Sequence, residues 1–320
     1  MKNTNDCNGS ISNEQQAEYV MINGIEQFLY HSGDRAENPV ILHLHGGPGL
    51  PFSNRAYLQS NWNPYFNMVY WDQRGAGKTA LKNPDKKPTF ENLLQDIHDI
   101  IFYLQKKYNQ DKIGLFAHSW GTVIGSIYAN QFPEHVSFYI GVGQVISPIQ
   151  DEIVGYKETV RRLQEKGDIQ GLQRIMGLGD YPGDNTGDIL PKMEVVRNLQ
   201  YQLGMASYDA EKTRKEIQQS PLFTPKDLNA RDISIKLLDQ LYKRMHDYSL
   251  YDYPLQYSIP VFYLLGENDW QVPAIQGIEY FQKIKAPDKD LIIIKGTTHS
   301  PQLEKPEEFL AAMREVVGRN

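Results

Sequence analysis

The sequence predicts an α/β fold: a mostly parallel central sheet flanked by helices, with one helical insertion. Three observations predict it. Short runs of β-branched and aromatic residues alternate with amphipathic segments in both the first half and the last quarter of the chain. That alternation is the mark of parallel strands buried on both faces. It stops between about Ser147 and Tyr253, where the chain turns polar and helix-prone. And one apolar run passes into a helical pattern through the tight turn Ala117-His118-Ser119-Trp120-Gly121.

The elements follow in order. Met1 to Ala17 is rich in Asn, Ser, Gln and Glu and reads as a flexible N-terminal tail. Val20 to His31 reads as a hairpin around Asn23-Gly24, a strong two-residue turn signal. Pro39 to His45 is an apolar strand, and Phe66 to Trp71 a second. Phe90 to Tyr108 is an amphipathic helix, because Phe90, Leu93, Leu94, Ile97, Ile101 and Leu104 recur at helical steps. Thr89 is its N-cap. Ile113 to Ala117 is a third strand, followed by a helix from about Thr122 to Gln131 and a strand from Val136 to Val142. Later strands are Val261 to Leu265 and Leu291 to Ile294, with a helix from Ile275 to Lys285 between them. The last helix has Pro306 near its start and Gly318 past its end. The core is therefore 18–146 plus 254–320. The helical cap, 147–253, is inserted after the strand ending near Val142 and is broken by a turn-rich run from Tyr181 to Asp188. Its closing tyrosines, Tyr248, Tyr251, Tyr253 and Tyr257, are expected to pack against the core rather than line a pocket.

Composition narrows the function. The 320 residues carry 33 Lys plus Arg against 39 Asp plus Glu, a formal charge of −6. A mildly acidic chain is a poor partner for nucleic acid, whose affinity rests on neutralising phosphates. No run approaches the roughly 18 apolar residues of a membrane span. The lone Cys7 excludes an internal disulfide, and no apolar run precedes it as a lipid anchor would need. A reduced thiol and a cytoplasmic protein are expected.

The turn at Ser119 is the strongest chemical signal. A nucleophile on a sharp strand-to-helix turn forces backbone segments together, so the positions two before and two after must be small. They are Ala117 and Gly121; glycine is the usual residue at the first, so Ala117 is a mild departure. The helix N-terminus beside Ser119 favours negative charge on a substrate oxygen. A second signal is His45-Gly46-Gly47-Pro48-Gly49, whose glycines imply unusual dihedrals or close approach. An oxyanion hole needs two converging N–H donors. Trp120 can supply one, and Gly47, or failing that Gly46, the other. The Gly47–Pro48 bond is expected to be cis.

A serine needs a base, and the base an orienting group. His299 lies just beyond a strand, where catalytic groups of open α/β sheets collect. The same rule selects Asp269 as the acid, with Glu267 as runner-up. The other histidines are set aside: His118 points elsewhere on its turn, and His98 sits on the polar side of its helix. His43 and His45 form an H-x-H pair, but no further ligand follows at metal spacing, so no metal is expected. Gly75-Ala-Gly77-Lys78-Thr79 imitates a phosphate loop, yet Asp72 stands where that loop needs glycine.

Together, H-G-G-P-G, D-Q-R-G-A-G, A-H-S-W-G, G-E-N-D and the late T-H-S resemble the prolyl aminopeptidase (proline iminopeptidase) branch of the α/β-hydrolases over about two-thirds of the chain. The resemblance implies an α/β-hydrolase fold, a serine mechanism with Ser119, Asp269 and His299, and no cofactor. It implies a small-molecule or short-peptide substrate cleaved through an acyl-enzyme. Asp72 and Arg74 fall in the family's D-Q-R-G loop and are expected to brace the active-site loops. That family reads the substrate's free amine with acidic cap residues, one in a tryptophan-rich segment that this chain lacks. Asp151, Glu152 and Glu158 begin the insertion and are candidates, with surface solvation their expected role. An esterase or lactonase is the alternative reading, and a non-catalytic binding homologue a third.

Overall fold

The hairpin signal at Asn23-Gly24 is realised in the computed structural model, which describes residues 16–183, 189–207, 209–238, 241 and 245–319. Strands β1 (Ala17–Ile22) and β2 (Ile25–Ser32) pair antiparallel. Asn23 and Gly24 between them take φ values of 44° and 79°, the pair of positive φ angles that a tight hairpin turn demands. Ala17 already pairs with Tyr30, so the expected tail ran one residue too far. Cys7 and residues 184–188 of the turn-rich run lie outside the described residues.

Six further strands follow: β3 (Val40–Leu44), β4 (Asn67–Asp72), β5 (Ile113–His118), β6 (Val136–Val142), β7 (Val261–Gly266) and β8 (Lys289–Ile294). Among the described residues they form one sheet in the order β1-β2-β4-β3-β5-β6-β7-β8. The β1–β2 and β2–β4 junctions are antiparallel and the rest parallel. The parallel strands β3 to β7 are buried along almost their whole length, as strands covered on both faces must be. Because they run the same way, the loops after β3, β4, β5, β7 and β8 open on one rim.

The helices of the first half are α1 (Gly77–Lys82), α2 (Phe90–Tyr108) and α3 (Trp120–Gln131). In α2 the Thr89 hydroxyl accepts the Asn92 N–H at 3.1 Å, as a cap should. Its buried face is Leu93, Ile97, Ile100, Ile101 and Leu104. Helix α3 begins at Trp120, two residues earlier than expected, because the chain passes from strand to helix within Ser119 itself.

Between β6 and β7 lie α4 (Pro148–Lys166), α5 (Ile169–Met176), α6 (Ile189–Gln202), α7 (Ala210–Gln218) and α8 (Ala230–Leu237). Leu163, Ile175, Val196 and Leu199 give α4 to α6 a small apolar cluster of their own. The later part of the stretch is pinned to the core: the Lys78 ammonium donates to both oxygens of Asp227, at 2.7 and 2.9 Å, and to the Leu222 carbonyl. The lysine of the imitation phosphate loop is thus spent on a buried ion pair. Of the closing tyrosines, Tyr248 and Tyr257 are buried in the main core, as packing predicts, and Tyr251 is exposed.

The chain ends with α9 (Ala274–Lys283), α10 (Pro301–Glu304) and α11 (Pro306–Val317). One face of the sheet packs on α2 and α3. The other packs on α11 and the turn Ser53–Trp62, where Trp62 stacks on Phe309 at 5.8 Å. Among the described residues no helix is long and apolar enough to cross a membrane.

Arg74 after β4 donates to both oxygens of Asp96 on α2, at 2.8 and 2.9 Å, and to the Asn23 carbonyl of the hairpin. Both partners are almost fully buried. Removing one partner of such a pair strands the other charge in the interior. Arg74→Met should therefore lower the stability by about 3–5 kcal/mol, measured by urea denaturation of purified protein.

Candidate active site

The A-H-S-W-G turn has the backbone its small flanking residues foretold. Ser119 sits at φ 53°, ψ −123°, a sparsely populated conformation that costs on the order of 1–3 kcal/mol and persists only where its surroundings hold it. Those surroundings are visible. The Ser119 N–H donates to the Val142 carbonyl at 2.9 Å, and the Ser119 carbonyl accepts from Thr122 N and Oγ1 at 2.8 and 2.6 Å. Gly121 lets α3 press on β3: a Cβ there would lie 2.1 Å from the Leu44 carbonyl oxygen. Ala117 is fully buried and its methyl is accommodated.

The H-G-G-P-G loop leaves β3 beside this turn. The Gly47–Pro48 peptide is cis, as expected, and Gly47 takes φ 120°. A Cβ on Gly46 would lie 3.1 Å from that of Ser119. Gly47, Ser119 and Trp120 line one cavity, and Gly46, Gly47 and Ser119 a second. Gly49, at φ 90°, packs under Leu238.

A residue the sequence reading passed over ties these parts together. The Gln73 N–H donates to His45 Nε2 at 3.2 Å, and its side-chain amide donates to the His45 carbonyl at 3.1 Å. The Trp120 indole donates to Gln73 Oε1 at 3.0 Å. His45 Nδ1 lies 2.8 Å from the Gly46 carbonyl. These contacts put the proton of a neutral ring on Nδ1, and burial pushes its pKa down to about 4. Gln73 is the middle of D-Q-R-G, the position between the two charges that drew attention. The expectation that Asp72 and Arg74 brace the active-site loops needs correction. Arg74 clamps α2 and the hairpin, while Asp72 accepts the Lys78 N–H at 2.8 Å, its carboxyl pushed up to about 6 by burial. Gln73 is the residue that contacts the H-G-G-P-G loop.

His299 and Asp269 meet as expected. His299 Nδ1 lies 2.8 Å from Asp269 Oδ2. The other carboxylate oxygen accepts the N–H groups of Gln271 and Val272, both at 3.0 Å. With Nδ1–H donating to the carboxylate, Nε2 carries the lone pair. That atom is buried without a hydrogen-bond partner among the described residues, and His299 lines a cavity with Ser119. Glu267, the runner-up acid, instead accepts the Gly296 N–H at 2.9 Å. His118 does not point away: its Nε2–H donates to the His299 carbonyl at 2.9 Å, and burial pushes its pKa down to about 3. His98 is not simply on a polar face, since it packs among Phe102, Phe132 and His135 and contacts the Tyr128 hydroxyl. His43 is no partner of His45, and its ring stacks on Phe116.

The insertion's acids overturn the expectation of surface solvation for two of three. Asp151 is 2% exposed and Glu152 6%, and both line the cavity at Ser119 and Trp120. Glu152 is held by the Arg197 guanidinium and the Tyr181 hydroxyl. Both oxygens of Asp151 lack partners among the described residues. Burial, with Glu152 and Asp269 nearby, holds its carboxyl far above the usual range. Glu158 is partly buried and pairs with Arg161 and Arg162. The burial was unreadable from sequence because α4 carries its apolar and acidic residues on the same inward face.

A family model described as the alpha/beta hydrolase fold matches residues 39–306. A probable aminopeptidase, YbaC, of Bacillus subtilis (strain 168) is 25% identical over 91% of this chain and 92% of its own. The proline iminopeptidase of Saccharolobus solfataricus is 20% identical over 93% and 91%. The crystal structure of a proline iminopeptidase-related protein from Thermus thermophilus superposes with a TM-score of 0.60 at 19% identity, over 94% of this chain and 96% of that one. At that identity the likeness is one of fold.

The Asp151 carboxyl has a consequence for stability. A group whose pKa is raised on folding contributes fully below its unfolded value of about 4. That contribution is lost as the pH rises through the folded value. Wild-type stability should therefore fall toward alkaline pH by more than that of Asp151→Asn, whose amide does not ionise. Urea midpoints measured from acid to alkaline pH on both proteins check this.

Proposed function

Because the chain belongs to the α/β-hydrolase family and is a hydrolase of that fold, we propose that it is a serine hydrolase that removes an N-terminal residue from a small amide or short peptide. Ser119 attacks the carbonyl, His299 Nε2 takes its proton, and Asp269 fixes the ring. The Gly47 and Trp120 N–H groups receive the oxyanion. The acyl-enzyme then reacts with water.

The observation that carries the reading is the His299–Asp269 contact, which leaves Nε2 buried and unpartnered among the described residues, on a ring whose residue lines a cavity with Ser119. The aminopeptidase specificity rests on Asp151. Its neighbour Glu152 is already matched by Arg197, so Asp151 is the carboxyl left for a substrate ammonium. An incoming ammonium would draw its proton off and form a buried, charge-assisted pair. The names of the relatives agree with this chemistry. One feature favours esterase action as a second reading: Val145, Ile149, Met193 and Val272 give the same cavity an apolar wall suited to a plain acyl chain.

Ser119→Ala and His299→Ala should each lower kcat by on the order of 10⁶, and Asp269→Asn by about 10⁴. A fluorophosphonate probe should label the wild type and not Ser119→Ala. Equal labelling of the two would defeat the nucleophile assignment. Asp151→Asn should lower kcat/KM for aminoacyl anilides by about 30- to 1,000-fold, the effect of losing one partner of a buried charge pair, while short acyl esters keep their rates. Equal loss on both substrate classes would remove the aminopeptidase reading.

A further inference from the structure

Two cavities meet at the nucleophile. Gly47, Ser119 and Gln271 line both. Asp151, Glu152 and Arg197 line the first, and His299 lines the second. The division has a chemical meaning that rests on the function proposed above. The base that deprotonates Ser119 must next protonate the departing amine, and later take a proton from the water that ends the acyl-enzyme. Both events need the imidazole. The departing group and then the water therefore belong in the second cavity, and the acyl part in the first.

Four residues that line the second cavity carry buried polar atoms without partners among the described residues. Both ring nitrogens of His43, Oε1 of Gln271, Oε1 of Gln302 and Nε2 of His299 are buried without partners among the described residues. Buried polar atoms in folded proteins are almost always bonded to protein or to ordered water. His43 is 1% exposed. Its ring is clamped by Phe116 and Tyr70 at 5.1 Å and by Phe52 at 5.2 Å. Burial keeps it neutral, so it offers one N–H and one lone pair. A side chain kept only for packing would need neither nitrogen, since phenylalanine stacks equally well.

We propose that His43 and Gln302 hold, in the second cavity, the water molecule that hydrolyses the acyl-enzyme. In that step the water oxygen bonds to the acyl carbon and His299 Nε2 takes its proton. The carbon–oxygen bond to Ser119 then breaks, and Ser119 Oγ recovers that proton from His299. Neither His43 nor Gln302 touches the reacting carbon. They are positioning residues, and their effect falls on deacylation.

Stopped-flow turnover of p-nitrophenyl acetate by the full chain separates the steps. The nitrophenolate burst reads acylation, the steady phase reads deacylation, and intact mass reads acetyl-enzyme. For His43→Phe and Gln302→Met we expect acylation and fluorophosphonate labelling at wild-type rates. Deacylation should slow by about 10²-fold, the scale of a misplaced reactant, with acetyl-enzyme accumulating. Hydroxylamine, an added nucleophile that needs no held water, should restore turnover, and His43→Gln should recover part of the rate. Unchanged deacylation in a folded variant, or equal loss of both steps, would overturn the proposal. Gln302→Met carries the test if His43→Phe does not fold. If the wild type forms no acetyl-enzyme and takes no probe, the serine reading itself has failed and this inference falls with it.

Discussion

The contact between the start of α3 and the end of β3 governs the geometry of this site. With only hydrogen on the Gly121 Cα, the helix closes on the Leu44 carbonyl to a distance at which no side chain would fit. β3 and β5 are neighbours in the sheet, with Leu44 opposite Ala117. The same contact therefore fixes the H-G-G-P-G loop against the Ser119 turn. β4 flanks β3 on its other side, with Trp71 opposite Leu44, and so delivers Gln73 to both His45 and Trp120. The strain at Ser119, on the order of 1–3 kcal/mol, is offset by this set of hydrogen bonds rather than by any one of them. His299 and Asp269 arrive from β8 and β7. Gly143, after β6, leaves them room: a Cβ there would lie 2.8 Å from the His299 ring.

The electrostatics of the rim follow from burial. His43, His45 and His118 are all pushed down by desolvation and stay uncharged. An uncharged ring with one hydrogen bond already made has a defined tautomer, and His45 and His118 each serve as a fixed donor or acceptor in this way. Across Ser119 the balance differs. Glu152 pairs with Arg197, and burial, with Glu152 and Asp269 nearby, holds the Asp151 carboxyl far above the usual range although Arg197 acts against the shift. The neutral rings of His43 and His118 thus share a cavity with His299, while the Asp151 carboxyl, unpartnered among the described residues, lines the other cavity at Ser119.

The sheet and the residues gathered at its rim are legible in the sequence because each has a local cause. Strands buried on both faces are written as apolar runs, and loops at their carboxyl ends name the functional residues by position. The His299–Asp269 contact and the cis Gly47–Pro48 bond follow from position in that way. What escaped depends on distance. Gln73, His43 and Gln302 are polar residues whose meaning lies in a partner or a cavity supplied by other strands. Arg74 was misassigned for the same reason, since nothing in D-Q-R-G says that Asp96, 22 residues on, is its partner. Asp151 and Glu152 were read as solvated because helical periodicity alone does not reveal which face meets the core.

The hydrogen bond from His118 to the His299 carbonyl changes how the pentapeptide around Ser119 should be understood. Its second position is usually treated as free, a spacer between the small residue and the nucleophile. Here that spacer is the buttress of the loop carrying His299, so the turn that presents Ser119 also supports the imidazole proposed as its base. A library that randomised position 118 in search of altered selectivity would shift the imidazole in most of its members, and loss of turnover there would say little about what the protein accepts as substrate.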